Sequence, residues 1–193
     1  MIPTIKTAEH LLQEAERMNP GPWANHSRVA GSCAKTIAEH CGLDPDKAYL
    51  SGLLHDIGRR CGVTDLRHVY DGYVFMREQG HPEIARICMT HSFPYQDIGA
   101  FNGNNDCTPE EAAVIVNYLN SIEYDDYDKL IQLCDALAFP DGATFVEKRL
   151  IDVALRRGVN TLTVPKWKII MHTKAYFDSK TGCDIYNLLG VGI

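Results

Sequence analysis

Leu53-Leu54-His55-Asp56-Ile57-Gly58 sets an imidazole and a carboxylate side by side at the end of an apolar run. Charged side chains are almost never fully buried unless they are paired or bound to a metal. His55 and Asp56 are therefore expected to have partners inside the protein. His26, His68, His91 and Asp135 stand at comparable places on other segments, giving the order H…HD…H…H…D.

Outward from this stretch, nearly every segment carries the helical repeat of apolar residues. Ile5, Ala8, Leu11, Leu12, Ala15 and Met18 share one face of a first helix, and Asn19-Pro20-Gly21-Pro22 stops it. A second helix is expected from about His26 to Cys41. Asp44-Pro45 supplies an N-cap and a first-turn proline for a third, ending near Gly58. A fourth covers Asp65 to Gln79, and a fifth runs from Gly80-His81-Pro82-Glu83 to His91. Thr108-Pro109-Glu110-Glu111 has a capping-box pattern and opens a sixth through Leu119. Tyr124–Phe139, Thr144–Arg157 and Pro165–Phe177 read as later helices, and the longest strand-like alternation is Asn160–Val164. The expected fold class is all-α, with one domain over residues 1–193. One long irregular stretch, Ser92 to Cys107, is rich in Gly, Asn and Asp. Loops of that length are often functional, and this one starts directly after His91, where it can cover the ligands.

A net charge of -6 does not suggest a nucleic-acid surface, so no nucleic-acid polymer is expected as a partner. The seven cysteines are odd in number, scattered and never in a C-x-x-C pair. That pattern points away from a disulfide framework and towards a reducing cytoplasm. No apolar stretch approaches the ~20 residues of a membrane span, and Met1-Ile2-Pro3-Thr4-Ile5-Lys6 does not read as a signal peptide. P-loop, dinucleotide-binding, H-E-x-x-H and G-x-S-x-G patterns are all absent.

Residues three and four apart on a helix share a face. By that spacing His26 lies with Ala30, Cys33 and Ile37, and His68 with Gly72 and Phe75. His91 lies with Ile84, Ile87 and Cys88, and Asp135 with Ile131 and Ala138. Each alone reads as a core histidine donating to a carbonyl, or as a capping aspartate. Four imidazoles and two carboxylates together would each need a partner, and a divalent metal centre satisfies them all. Nitrogen and oxygen ligands without thiolate favour iron, manganese, zinc or a similar cation. His26, His55, Asp56 and Asp135 can complete one shell, and His68 and His91 can hold a second ion with Asp56 bridging. Six ligands exceed what one tetrahedral zinc takes, which favours two metals. His81 competes with His68 for its place, while His10, His40 and His172 lie beside charged residues and read as solvated. Arg28, Arg59, Arg60 and Arg67 cluster in sequence around the ligands, and arginine suits phosphate through bidentate hydrogen bonds. Arg59 and Arg28 are the expected substrate contacts.

The ordered ligand set, with His55-Asp56-Ile57-Gly58 and the run His68-Val69-Tyr70-Asp71-Gly72 followed by Pro82-Glu83-Ile84-Ala85 and His91, resembles the HD superfamily of metal-dependent phosphohydrolases in its HDIG form. The resemblance covers about Trp23 to Phe139 and assigns His26, His55, Asp56 and Asp135 to one metal, with His68 and His91 holding a second. It implies hydrolysis of a phosphate ester or anhydride by metal-activated water, of a nucleotide or dinucleotide, with Asp56 and Arg59 in catalytic roles. Where the family's HDIGK has lysine, this chain has Arg59. The diadenosine tetraphosphatase branch shares the ligand order but has a shorter segment after its last histidine. Other members of this order are mixed-valence di-iron oxygenases, and a non-catalytic nucleotide-binding regulatory domain is a third alternative. The sequence leaves the oligomeric state open.

Overall fold

Side-chain caps set where several helices start. Thr4 accepts from the Thr7 amide, and Asp44 accepts from the amides of Asp46 and Lys47 ahead of Pro45. Thr108 with Glu111, and Asp125 with Asp128, form reciprocal capping boxes. Each such cap contributes about 1 kcal/mol by satisfying an amide that has no partner within the helix. The computed structural model describes residues 1–192. In chain order it contains α1 (Ile5–Met18), α2 (Trp23–Cys41), α3 (Pro45–Leu54), α4 (Arg67–Glu78), α5 (Pro82–Thr90), α6 (Pro109–Ser121) and α7 (Asp126–Leu137). There follow β1 (Ala138–Phe139), β2 (Gly142–Ala143), α8 (Val146–Arg157), α9 (Thr163–Thr181) and α10 (Ile185–Leu188). The fold is all-α apart from one minimal antiparallel hairpin, in which Ala138 pairs with Ala143. Among the described residues no helix is long and apolar enough to cross a membrane.

The structure departs from the sequence reading, or adds to it, at three places. The third helix stops at Leu54 rather than near Gly58, and Ile57–Cys61 forms a 3-10 turn. Asn160–Val164 is not a strand: the Asn160 side chain accepts from the Leu162 amide, and α9 begins at Thr163. That local hydrogen bond competes with extended backbone. The hairpin after α7 was not expected, because two-residue strands are too short to show an alternation.

Close backbone contact organises the helices. A Cβ built on Gly52 of α3 would lie 2.7 Å from Gly31 Cα of α2, so these helices cross where neither has a side chain. Gly58 is tighter still: its Cβ would stand 2.0 Å from the His68 carbonyl oxygen and 2.4 Å from the Gly72 amide nitrogen. The glycine of the HDIG stretch thus lays the turn after Asp56 directly on the backbone of α4. Between α5 and α7, buried Asp128 accepts from Arg86 Nε at 3.0 Å and from Thr90 Oγ1 at 2.8 Å. This tie holds the end of α5 against α7.

A methyl group at Gly58 has nowhere to go except by separating the turn from α4. Gly58→Ala is expected to destabilise the protein by at least about 1–3 kcal/mol, the usual cost of overpacking. Urea denaturation measures it, and a midpoint equal to wild type would show that the turn and α4 are not in this contact.

Candidate metal centre

Five helix ends meet at one place. His26 comes from the first turn of α2, and His55 and Asp56 follow α3. His68 comes from the first turn of α4, His91 follows α5, and Asp135 lies in the last turn of α7. The four histidines and Asp56 are each no more than 5 % exposed, while the Asp135 side chain is about a third exposed. All six residues that the sequence singled out as ligands are brought together.

Each imidazole is held by its δ nitrogen. His26 Nδ1 donates to the Ala138 carbonyl at 3.1 Å, and His55 Nδ1 to that of Gly52 at 2.7 Å. His91 Nδ1 donates to the Cys88 carbonyl at 2.9 Å, and His68 Nδ1 to that of Asp65. A neutral imidazole whose δ nitrogen donates carries a lone pair on its ε nitrogen. The four ε nitrogens are therefore acceptors, and they face further acceptors, apart from Arg59 Nη2 at 3.5 Å from His68 Nε2. His26 Nε2 lies 3.0 Å from Asp135 Oδ1. His68 and His91 Nε2 lie 3.1 and 3.4 Å from Asp56 Oδ1, and 3.3 Å from each other. His55 Nε2 is buried with no hydrogen-bond partner among the described residues.

Lone pairs set against lone pairs repel unless a cation lies between them. Leaving one buried acceptor unsatisfied already costs about 1–3 kcal/mol. Protonation is opposed at two of the rings. Burial pushes the His55 imidazolium down to about 4, and burial together with the Arg59 charge lowers that of His68. The carboxylates stay ionised. Burial would raise Asp56, but the Arg59 guanidinium beside it overrides this and holds its carboxyl well below the usual range. For Asp135 burial is likewise overcome, with the Arg149 guanidinium 3.7 Å away contributing. Two ligands at about 2.1 Å from a common ion, 90–110° apart, stand about 3.0–3.4 Å from one another. The separations between the ε nitrogens and carboxylate oxygens match that range. His26, His55 and Asp135 form one convergent group, and His55, Asp56 and His91 form another. His68 closes on Asp56 and His91 from the other side. The residues fit a divalent metal centre with Asp56 between its two halves.

Arg59 donates from Nε to Asp56 Oδ2 at 2.6 Å, which leaves Oδ1 to the histidines. Arg28 is corrected. It pairs with Glu16 at 2.6 Å and does not line the cavity beside the ligands. It stands two residues after His26, which turns it roughly 200° around the helix to the opposite face. Arg60 stacks on Phe75, and Arg67 pairs with Glu111 at 3.0 Å. His81 precedes α5 and meets the Met1 carbonyl, so His68 rather than His81 joins the cluster. His10, His40 and His172 are exposed.

The cavity over the ligands has a volume of about 150 Å³. That is small beside the ~300–1,000 Å³ of a pocket enclosing a whole small molecule. It has room for the reacting group, and a larger substrate must extend through the mouth. One wall is the 92–107 loop, through Ser92, Pro94, Phe101 and Asn102. The loop is ordered by buried Phe93 and Ala100, by Asn104 on Asp65 at 2.8 Å, and by Asn160 on the Gly99 carbonyl at 2.9 Å. A further part of the lining was not foreseen from the sequence. It brings Arg149, Arg156 and Arg157 from α8 and Lys166 from α9. The signal for α8 was present: Arg149, Leu150, Val153, Arg156 and Arg157 recur at the spacing of one helical face. Lys166 gave no signal. It is 8 % exposed, donates to the Ala100 carbonyl at 2.7 Å and to the Asn102 side chain, and burial pushes its ammonium down to about 8.

Comparison with known proteins agrees with this arrangement. Ribonuclease Y of Opitutus terrae is 39 % identical over 61 residues, 31 % of this chain. The match spans only 12 % of that relative's length. No solved structure matches the chain significantly. The model of the HD domain matches residues 23–139, more than half of the chain, from the helix bearing His26 to the residues just after Asp135. With that match over more than half its length, the chain belongs to the HD domain family, whose members are generally metal-dependent hydrolases.

Proposed function

We propose that this protein hydrolyses a phosphate ester or anhydride, with a nucleotide or dinucleotide as the substrate. The observation that carries the reading is a cluster of inward-facing Nε2 and carboxylate acceptors opening into a cavity with five cationic side chains, Arg59, Arg149, Arg156, Arg157 and Lys166. Acceptors call for a metal, and the surrounding cations suit an anion. A divalent cation there, with iron, manganese and zinc as candidates, supplies charge for the phosphoryl oxygens and makes a coordinated water more acidic. His26, His55, Asp56 and Asp135 would hold one ion, and His68 and His91 would hold a second with Asp56 shared. Asp56 is placed to accept a hydrogen bond from the attacking water while Arg59 keeps its carboxylate oriented. Arg59 also lines the cavity, where its guanidinium can take up charge on a non-bridging oxygen. The name of the relative, a ribonuclease, supports chemistry on phosphodiesters. All seven cysteines are free, which supports a reducing compartment, the cytoplasm.

Phosphate release across mono-, di- and dinucleotides, run beside oxygen uptake, tests the reading. Release without oxygen consumption is expected, and oxygen uptake without release would replace the hydrolase by an oxygenase. Metal analysis addresses nuclearity: His91→Ala is expected to lose one equivalent and keep the other, and retention of both would refute the assignment of His91. Arg59→Ala is expected to fold and keep metal but lose about 10²–10³ in turnover, as removal of one stabilising donor does. Arg59→Lys should recover part of that, since it keeps the charge and loses the fork. Unchanged turnover in Arg59→Ala would reduce this arginine to a structural ion pair.

Stability of the metal-free protein should depend on pH. The folded state lowers the His55 imidazolium to about 4 from an ordinary 6.5, so between these values the unfolded chain binds more protons. Stability therefore rises with pH through this window and is lost as pH falls from about 6.5 to about 4. His68 is shifted in the same direction. The melting temperature after chelation is expected to be lower at pH 5 than at pH 7.5, and an equal or higher value at pH 5 would show that these rings are not held neutral.

A further inference from the structure

We propose that Lys166, backed by Arg156, forms an anion subsite beside the metal centre that receives a second phosphate group of the substrate. The proposal rests on the phosphohydrolase reading and narrows it: the preferred substrates carry two or more phosphates, as an anhydride or a bisphosphate, rather than a lone monoester.

The argument starts from unbalanced charge. Of the cations around the cavity, Arg157 pairs with Asp65, and Arg59 with Asp56. Arg149 and Arg156 both draw on Asp152, at 3.3 and 2.7 Å, so two guanidiniums share one carboxylate. Arg149 also lies 3.7 Å from Asp135, but that carboxylate is committed to the ligand cluster. Among the described residues Lys166 has no carboxylate within ion-pair distance, and Asp135 acts on it only through its longer-range charge. Its two acceptors, the Ala100 carbonyl and the Asn102 side chain, are neutral, and an ammonium has three N–H donors.

Pinning the loop does not explain this lysine. A neutral amide would donate to the same two oxygens without the cost of burying a charge. A buried ammonium with a spare donor at a cavity wall is explained by an anion that arrives from outside. Arg156 suits the outer edge of the same subsite, because its side chain lines the cavity and is half exposed. A phosphoryl group at the metal centre would lie by Arg59. The remaining positive charge belongs to α8 and α9, where the rest of a polyphosphate would leave through the mouth.

The test uses two non-hydrolysable probes, methylphosphonate with one anionic group and methylenediphosphonate with two, titrated by calorimetry into manganese-loaded protein. Lys166→Met keeps an unbranched stem and removes the charge and donors. It is expected to weaken methylenediphosphonate about tenfold, the effect of one charged hydrogen bond, while methylphosphonate affinity and manganese content stay as in wild type. Unchanged methylenediphosphonate affinity, or an equal loss for both probes, would overturn the subsite. Should Lys166→Met fail to fold, Arg156→Ala decides: about a threefold selective loss supports the proposal, and none overturns it. The binding contrast alone judges this subsite, whereas failure to release phosphate from any ester judges the hydrolase reading.

Discussion

Acceptor facing acceptor is the constraint on which the rest of this structure depends. Four imidazoles spend their δ N–H groups on backbone carbonyls, so each turns a lone pair inward against a carboxylate or another ring. Such a cluster is unfavourable as a purely protein arrangement and favourable around a cation. The carbonyls that orient the rings belong to Gly52, Cys88 and Ala138, at or beside helix C-termini, where backbone oxygens lack intrahelical partners, and to Asp65 in the turn before α4. The same termini that require satisfaction thus fix the tautomer and aim of three of these rings.

Backbone proximity makes the convergence possible. The six clustered residues come from five helices, and close approaches at glycines bring three of these together. Gly31 with Gly52 brings α2 to α3, and Gly58 brings the turn after Asp56 to α4. In the second case the backbone touched is that of His68 itself, so one glycine sets the separation between the two halves of the centre. On the other side, Asp128 joins Arg86 and Thr90 and holds the end of α5, with His91, near α7 and its Asp135.

Around this centre the later helices and the long loop decide what can approach. The six clustered histidines and aspartates lie within the HD domain match, but Arg149, Arg156, Arg157 and Lys166 lie beyond it. The division has a physical logic. A metal centre demands donors within a few tenths of an ångström and is carried by packed helix ends. Recognition of an extended anion depends on charge at longer range and tolerates variation in the walls.

Much of the site was legible in the sequence, because an imidazole or carboxylate on the apolar face of a helix must find a partner. His26, His55, Asp56, His68, His91 and Asp135 could all be picked on that ground, together with the caps that start α3 and α6. Arg28 misled, because nearness in sequence to His26 is not nearness in space: two residues along a helix reverse the direction of a side chain. The arginines of α8 showed a helical face, but nothing local said what that face looked upon. Lys166 was invisible, since its burial depends on a loop more than 60 residues earlier folding over it. Local periodicity determined which residues needed partners. Only the packing of helices from distant parts of the chain decided which partners they met, because that depends on contacts no single segment contains.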